Sequence, residues 1–230
     1  MFYFDPTYLL FLAPAILLSV WANWRTKSAF KKYSRVRTLS GMTGEQAAAR
    51  LLQQAGINDV KIVATRGTLS DHYNPLTKTL ALSEPVYGTN SIAAVGVACH
   101  EAGHAIQHAQ NYFPLWLRSA LVPTAKIGSK LGHWVMIAGV ILMQMSGIGP
   151  GVIYAGAALF SAVLVFQIVT LPVEFDASSR AKELAFAQGI VTEEERAGVS
   201  SVLNAAALTY VAAAITTLMT LLYYLSRARR

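Results

Sequence analysis

The feature that most constrains this chain is a run of 43 residues, Leu131–Val173, without a single Asp, Glu, Lys or Arg. Two transmembrane helices of about 20 residues each fit this length. The sequence Ser-Gly-Ile-Gly-Pro-Gly at 146–151 lies in the middle of the run and is typical of a tight turn. A pair of soluble helices would rarely lack every charge on its outer face. The run therefore predicts a transmembrane helical hairpin, with arms at about 131–146 and 151–171.

Two further apolar segments each predict a single transmembrane helix. Residues 6–24 carry no charged side chain and have aromatic residues at both ends, as in the interfacial belts of membrane proteins. Residues 205–225 follow a charged stretch and precede an arginine-rich tail. With four spans and a cytoplasmic first loop, that tail would lie outside, against the positive-inside tendency. The last segment is therefore either a span that violates the tendency, a re-entrant helix or a helix packed on the protein.

The charge of the chain supports a membrane location. Charged residues make up only 13% of the sequence, whereas about 25% is usual for soluble domains. Six of the nineteen basic residues lie between Arg25 and Arg37, with no acidic residue among them. Such a cluster can bind nucleic acid, but directly after an apolar span it is typical of the cytoplasmic flank of a membrane anchor. We therefore expect contact with membrane lipid and no nucleic-acid partner.

The polar segment between the first span and the hairpin predicts a small region of helices and strands. Capping and turn residues and the alternation of apolar residues predict its elements. They are, in order, a helix from Thr43 to about Gly56, a strand at 60–64, a turn at 71–75, a strand at 77–83 and a helix at 92–110.

The last of these helices carries the pattern His100-Glu101-Ala102-Gly103-His104. Residues four apart lie on one face of a helix, so the two imidazoles can bind a single zinc ion. Glu101 lies one step round the helix and can act as general base toward a zinc-activated water. His108 continues the four-residue spacing but is one turn too far to bind the same ion. The pattern predicts a zinc peptidase.

A zinc ion bound by two helical histidines needs a third protein ligand and an open position for water. Gln107 and Gln110 stand where the metzincin pattern has a glycine and a third histidine, which excludes that class. The best candidate is Glu174, because it directly follows the second hairpin arm and a two-span hairpin returns the chain to its starting side. Asp176 is the alternative, and on a helix it would point nearly opposite to Glu174.

Three segments together resemble the YugP-type neutral zinc metallopeptidases. They are His-Glu-Ala-Gly-His-Ala-Ile-Gln-His at 100–108, Asp-His-Tyr-Asn-Pro at 71–75 and Pro-Val-Glu-Phe-Asp-Ala-Ser at 172–178. Many metalloproteases share the core of the first motif, but its combination with the third is much more specific, and the resemblance covers nearly the whole chain. It implies a membrane-bound, gluzincin-like protease of mostly bacterial distribution. In it, His100, His104 and Glu174 would bind zinc and Glu101 would act as base.

The chain is also similar in plan to HtpX-type membrane proteases, in which an Asp four residues after the ligand Glu supports a zinc histidine. Ser178 occupies that position here, so Ser178, Asp176 or a backbone group could supply this support. The strand at 77–83 could bind an extended substrate by edge pairing. The candidates for stabilising the oxyanion are His72, Tyr73 and Arg180.

We therefore predict a mainly α membrane protein, with about four transmembrane helices and a zincin-like α+β catalytic region that contains a small β-sheet. Its predicted parts are a first transmembrane helix at 6–24, a cytoplasmic catalytic region at 25–130, a transmembrane hairpin at 131–171, a helical segment with the third zinc ligand at 172–204 and a fourth transmembrane helix at 205–225. We expect one Zn²⁺ per chain, peptide or protein substrates that include membrane proteins, and a bacterial plasma membrane with the active site on the cytoplasmic side.

The alternative function is a non-catalytic metal-binding membrane scaffold or a metal transporter. Transporters usually place several polar ligands inside their spans, whereas the hairpin offers only His133, Gln144 and Gln167. Glu101 would have no purpose in a purely structural zinc site, which closes with four protein ligands. An intramembrane site-2-type protease is excluded, because the chain lacks the Leu-Asp-Gly tripeptide of that class.

Overall fold

The computed structural model describes residues 6–145 and 147–229 and is mainly helical, with one small sheet. The elements are α1 (Pro6–Tyr33), α2 (Gly44–Gln54), β1 (Lys61–Thr65), β2 (His72–Asn74), β3 (Thr79–Ser83), α3 (Glu84–Tyr87), α4 (Ile92–Ala109), α5 (Phe113–Ile127), a π-helical turn (Gly128–Gly132), α6 (His133–Leu142), α7 (Gly149–Ala187) and α8 (Glu193–Ala228). The mainly α class with a small β-sheet is therefore confirmed.

The chain forms two compact units, which we call the helical unit and the mixed unit. The helical unit comprises the described parts of 1–22, 117–171 and 209–230. The mixed unit comprises 23–116 and 172–208 and contains the sheet.

The predicted number of four transmembrane helices is wrong for the part of the chain that the structure describes. Three helices are long and apolar enough to cross a membrane: α1, α7 and α8. The first hairpin arm is not among them, because a π-helical turn separates α5 from α6 and α6 has only 10 residues. At 1.5 Å per residue, α6 covers about half of a hydrocarbon core of about 30 Å.

Glycines bring the two sides of the predicted hairpin into contact within the helical unit. A Cβ atom on Gly132 would lie 2.7 Å from the backbone nitrogen of Phe160, and one on Gly156 would lie 2.6 Å from that of Met136. Small residues allow helix backbones to approach in this way in membrane proteins. The core of this unit includes the fully buried side chains of Met136 and Ile153.

In the mixed unit, helix caps fix where α2 and α4 begin. Thr43 caps α2 through a capping box with Gln46, as the sequence predicted for the start of this helix. Ser91 caps α4 by accepting a hydrogen bond from the backbone N–H of Ala94 at 3.2 Å. Leu51 and Val95 belong to one buried cluster, so α2 and α4 share a core.

The sheet has the order β1-β3-β2, with β1 parallel and β2 antiparallel to β3. The strands predicted at 60–64 and 77–83 are present within one or two residues at each end. The prediction of a turn at 71–75 is wrong for residues 72–74. These residues form β2, which pairs with β3 and places Tyr73 opposite Leu80. The predicted edge pairing of the strand at 77–83 is also wrong. Since β3 is the central strand, both of its edges already pair with neighbours.

Candidate metal centre

The face of α4 that carries both histidines lies directly against α7. Gly103 makes this approach possible, since a Cβ atom at this position would lie 2.7 Å from the backbone oxygen of Ala177. The partner segment is the part of α7 that contains Glu174.

The structure brings together the three residues predicted as zinc ligands. One potential ligand atom from each of His100, His104 and Glu174 lies within 4.8 Å of the others. The Nε2 atoms of His100 and His104 lie 3.3 Å and 3.6 Å from Oε2 of Glu174. The carboxylate is 3% exposed, so the three donors meet at a buried point. Among the described residues this is the one cluster of His, Cys, Asp or Glu that could hold a metal ion.

Glu101 and His108 are not members of this cluster. Glu101 is buried, with 8% of its surface exposed, and its negative charge helps to raise the pKa of His104. It therefore lies beside the cluster without supplying one of the three donors. His108 instead contacts β2, where its Nδ1 atom lies 2.8 Å from the hydroxyl of Tyr73.

The second nitrogen of each cluster histidine also has a partner. Nδ1 of His100 lies 3.1 Å from the hydroxyl of Ser178, which is four residues after Glu174. Nδ1 of His104 lies 3.0 Å from Oε1 of Gln107. Asp176 has no direct contact of this kind, but accepts a hydrogen bond from the side-chain amide of Gln107 at 2.7 Å. Each histidine is thus contacted at Nδ1 as well as at the Nε2 atom that lies near Glu174.

This donor set fits a zinc ion. Neutral imidazole nitrogens and carboxylate oxygens are usual zinc ligands, and a catalytic site has three of them. Burial alone lowers the pKa of His104, but the hydrogen bond and negative charge of Glu174 raise its pKa above the ordinary value overall. A buried carboxylate is costly without a compensating positive charge. A cation bound by the two Nε2 atoms would supply that charge.

The three candidates for oxyanion stabilisation have different environments. His72 is exposed, and its ring contacts the backbone oxygen of Ser70 at 2.9 Å. Tyr73 lies against His108, and burial raises the pKa of its phenol, so its hydroxyl stays protonated at neutral pH. The guanidinium of Arg180 donates to Asp176 and to Gln110. The hydroxyl of Tyr73 and the guanidinium of Arg180 are therefore both engaged by other side chains.

Sequence reasoning missed Gln107. It served only to exclude the metzincin pattern, yet its side chain is fully buried between His104 and α7. A signal was present: a polar residue three positions after His104 lies on the same face of the helix. Its partners on α7 are 66 and 69 positions away in sequence, so spacing alone does not identify them.

Comparison with known proteins agrees with these observations. The model of a protein family described as "Putative neutral zinc metallopeptidase" matches residues 8–229. A Bacillus subtilis (strain 168) protein named "Putative membrane protease YugP" is 46% identical over 216 residues, which cover 94% of this chain and 94% of that protein. No solved structure is significantly similar to the chain. Since the family match and the identity both extend over nearly the whole length, the chain belongs to the neutral zinc metallopeptidase family.

Proposed function

We propose that this chain is a membrane-bound, zinc-dependent endopeptidase in which Glu101 is the general base. The observation that carries the proposal is the meeting of three ligand atoms within 4.8 Å of one another, beside a buried glutamate that is not one of them. Two histidines on one helix, a glutamate on another and a neighbouring base form the gluzincin-like arrangement. The alternative, a non-catalytic scaffold or transporter, leaves Glu101 without a role.

His100, His104 and Glu174 would hold one Zn²⁺ per chain through Nε2, Nε2 and Oε2. When bound, zinc supplies a Lewis acid that polarises the scissile carbonyl and makes water more acidic. The protein would contribute three donors, as in catalytic zinc sites, which keep a further position for water. Ser178 and Gln107 contact the Nδ1 atoms of His100 and His104 and would fix the orientation of the two rings.

Glu101 would take a proton from the attacking water and deliver it to the leaving amine. Both transfers require a carboxylate within hydrogen-bond reach of the reacting atoms. Glu101 is suited to this because it is adjacent to His100 on α4 and close enough to His104 to influence its pKa. Its low exposure keeps bulk water from competing for the same contact.

The substrate would be an extended peptide or protein segment that pairs with the edge of β2. This strand lies at one side of the sheet, and Tyr73 on it contacts His108 on α4, the helix that carries the base. Edge pairing supplies backbone hydrogen bonds without requiring a particular sequence. Substrates would include membrane proteins, because the enzyme is itself held in lipid.

We further propose a bacterial plasma membrane with the active site on the cytoplasmic side. The named relative is a putative membrane protease of a bacterium by its description. In α1 the apolar run precedes six basic residues between Arg25 and Arg37, which favours a cytoplasmic location for the segment that follows. These residues would lie near anionic lipid, with no nucleic-acid partner.

Replacing Glu101 by Gln tests the proposal. Glu101→Gln keeps the size of the side chain but removes the base, so we expect hydrolysis of casein or of a transmembrane reporter to fall about 10²- to 10⁴-fold. Zinc content should stay at one ion per chain. The matched control is Glu84→Gln, which changes an exposed glutamate of the same unit and should leave the rate unchanged.

Retained hydrolysis in Glu101→Gln would remove the assigned base. A wild-type protein that binds zinc but cleaves neither substrate would favour the scaffold or transporter instead. Loss of zinc from Glu101→Gln would make Glu101 a ligand and contradict its separate role.

A further inference from the structure

We propose that Gln107 is a positioning residue that fixes the orientation and tautomer of His104 by joining it to the segment of α7 around Glu174. This inference deepens the proposed function and rests on it. Gln107 itself would touch neither the metal nor the substrate. It would act only through His104.

Gln107 is fully buried, and each polar group of its side chain has a partner. Its Nε2 atom donates to the backbone oxygen of Val173 at 2.9 Å and to Oδ2 of Asp176 at 2.7 Å. Its Oε1 atom lies 3.0 Å from Nδ1 of His104. A buried amide is costly unless its donors and acceptor are all satisfied. At this position all of them are.

The two hydrogen bonds that Nε2 of Gln107 donates determine which ring nitrogen of His104 carries the proton. Because both N–H groups of the amide point at acceptors on α7, the atom facing His104 must be the carbonyl oxygen. An oxygen can only accept, so Nδ1 of His104 carries the proton. In the neutral ring the lone pair then lies on Nε2, the atom near Glu174, and this is the form that a bound metal would require.

Asp176, which accepts from Gln107, is itself held in place by other side chains. Asp176 accepts a hydrogen bond from Nε of Arg180, and another nitrogen of the same guanidinium donates to Gln110 just after α4. Arg180 also lies over the ring of Tyr112, 5.7 Å from its centroid. The orientation of His104 thus depends on a continuous set of contacts that passes from α4 to α7 and back.

Only an amide of this length satisfies both sides. A carboxylate at position 107 could accept from His104 but could not donate to Val173, and it would repel Asp176. An apolar side chain of similar length could do neither. Either change should therefore loosen His104, because each one removes the bonds that join position 107 to α7.

The experiment measures the affinity of the full-length, detergent-solubilised chain for Zn²⁺ alone, by competition with a chromophoric chelator. The variants are Gln107→Met and Gln107→Glu. A second readout, the ¹⁵N chemical shifts of the His104 ring in the metal-free chain at alkaline pH, reports which ring nitrogen carries the proton. Gln54→Met, at an exposed glutamine of α2, is the matched control. Partners of metal-binding histidines typically contribute about 10- to 100-fold to metal affinity.

We expect Gln107→Met and Gln107→Glu each to lower zinc affinity by about 10- to 100-fold. Gln54→Met should leave the affinity unchanged. The ring proton of His104 should lie on Nδ1 in wild type, and the two tautomers should mix in Gln107→Met. Wild-type affinity in Gln107→Met, or a wild-type His104 with its proton on Nε2, would overturn the proposal. If Gln107→Met fails to fold, Gln107→Glu and the tautomer of wild-type His104 decide.

This test separates the inference from the proposed function, because zinc affinity requires no substrate. A wild-type chain that binds zinc without hydrolysing peptides would defeat the proposed function and leave the role of Gln107 to be judged on the variants. If the wild-type chain hydrolyses peptides and the Gln107 substitutions leave its zinc affinity unchanged, only the inference about Gln107 fails.

Discussion

The helical unit and the mixed unit are built partly from the same helices but are held together by different interactions. α1, α7 and α8 each contribute residues to both units. In the helical unit, glycines on α6 and α7 bring backbones into contact. In the mixed unit, Gln107 and its neighbours are buried polar side chains with matched partners. Close backbone approach at glycines thus occurs in both units, and the mixed unit adds a set of buried polar side chains with matched donors and acceptors.

The two parts of α7 show this difference within one helix. Up to Leu171 its sequence is apolar with several small residues, and Gly156 contacts Met136. From Pro172 onward it carries Glu174, Asp176 and Ser178, whose side chains all take part in polar contacts with neighbouring helices or with α7 itself. Substitutions in the polar part should therefore change zinc affinity, whereas substitutions in the apolar part should change the free energy of unfolding and leave zinc affinity unaltered.

The largest effect is expected from Glu174→Ala. The substitution removes one of three donors and leaves two imidazoles, which form an incomplete site. We expect zinc content to fall from one ion per chain to background and hydrolysis to disappear, as measured by metal analysis and casein cleavage. Glu183→Ala, at an exposed glutamate of the same helix, is the control. Retention of stoichiometric zinc by Glu174→Ala would break the contrast, since the polar part of α7 would then not be needed for binding.

A smaller effect is expected from Gly103→Ala. The added Cβ would lie 2.7 Å from the backbone oxygen of Ala177, so α4 and α7 must separate. Overpacking of this kind costs about 1–3 kcal/mol, and 1.4 kcal/mol corresponds to a tenfold change in affinity. We therefore expect zinc affinity in the chelator competition to fall about tenfold or more.

The matched control for this change is Gly96→Ala on the same helix. Its Cβ would meet a methyl group of Val199 at 3.3 Å, a side-chain contact that can adjust. Zinc affinity should then change by less than about threefold, since no backbone has to move. Equal losses in the two variants would show that general loosening of α4, rather than its distance from α7, lowers the affinity.

The smallest effect on zinc is expected from Gly156→Ala in the helical unit. Its Cβ would lie 2.6 Å from the backbone nitrogen of Met136, so we expect the free energy of unfolding in detergent to drop by about 1–3 kcal/mol. Zinc affinity should stay at the wild-type value. Gly151→Ala, where no atom lies within 4 Å of the added Cβ, should change neither quantity. A parallel loss of zinc in Gly156→Ala would mean that the two units are energetically coupled.

Much of the local structure could be predicted from the sequence. Thr43 marks the start of α2, because its side chain caps the first turn whatever surrounds it. The four-residue spacing of His100 and His104 places both rings on one side of α4. The position of Glu174 directly after the second hairpin arm likewise favoured it over Asp176, and Glu174 is the residue that lies against both rings.

Other features depended on contacts that no local pattern records. The residues at 71–75 are of types that favour turns, yet 72–74 forms a strand because its backbone pairs with β3. The uncharged run predicts two spans, yet a π-helical turn interrupts the helical path of the first arm. A π-helical turn has no simple signature in composition, so the count of long helices was too high by one.

The sequence alone determined which groups are available and how they are spaced along each helix, because caps, helical periodicity and apolar runs act within a few residues. Only the tertiary structure decided which groups meet. Glu174 reaches the two imidazoles because Gly103 lets α7 lie against α4. Gln107 acquires its role because its three partners come from two helices. Hydrogen bonds require atoms within about 3 Å, a distance that only the packing of separate helices can set.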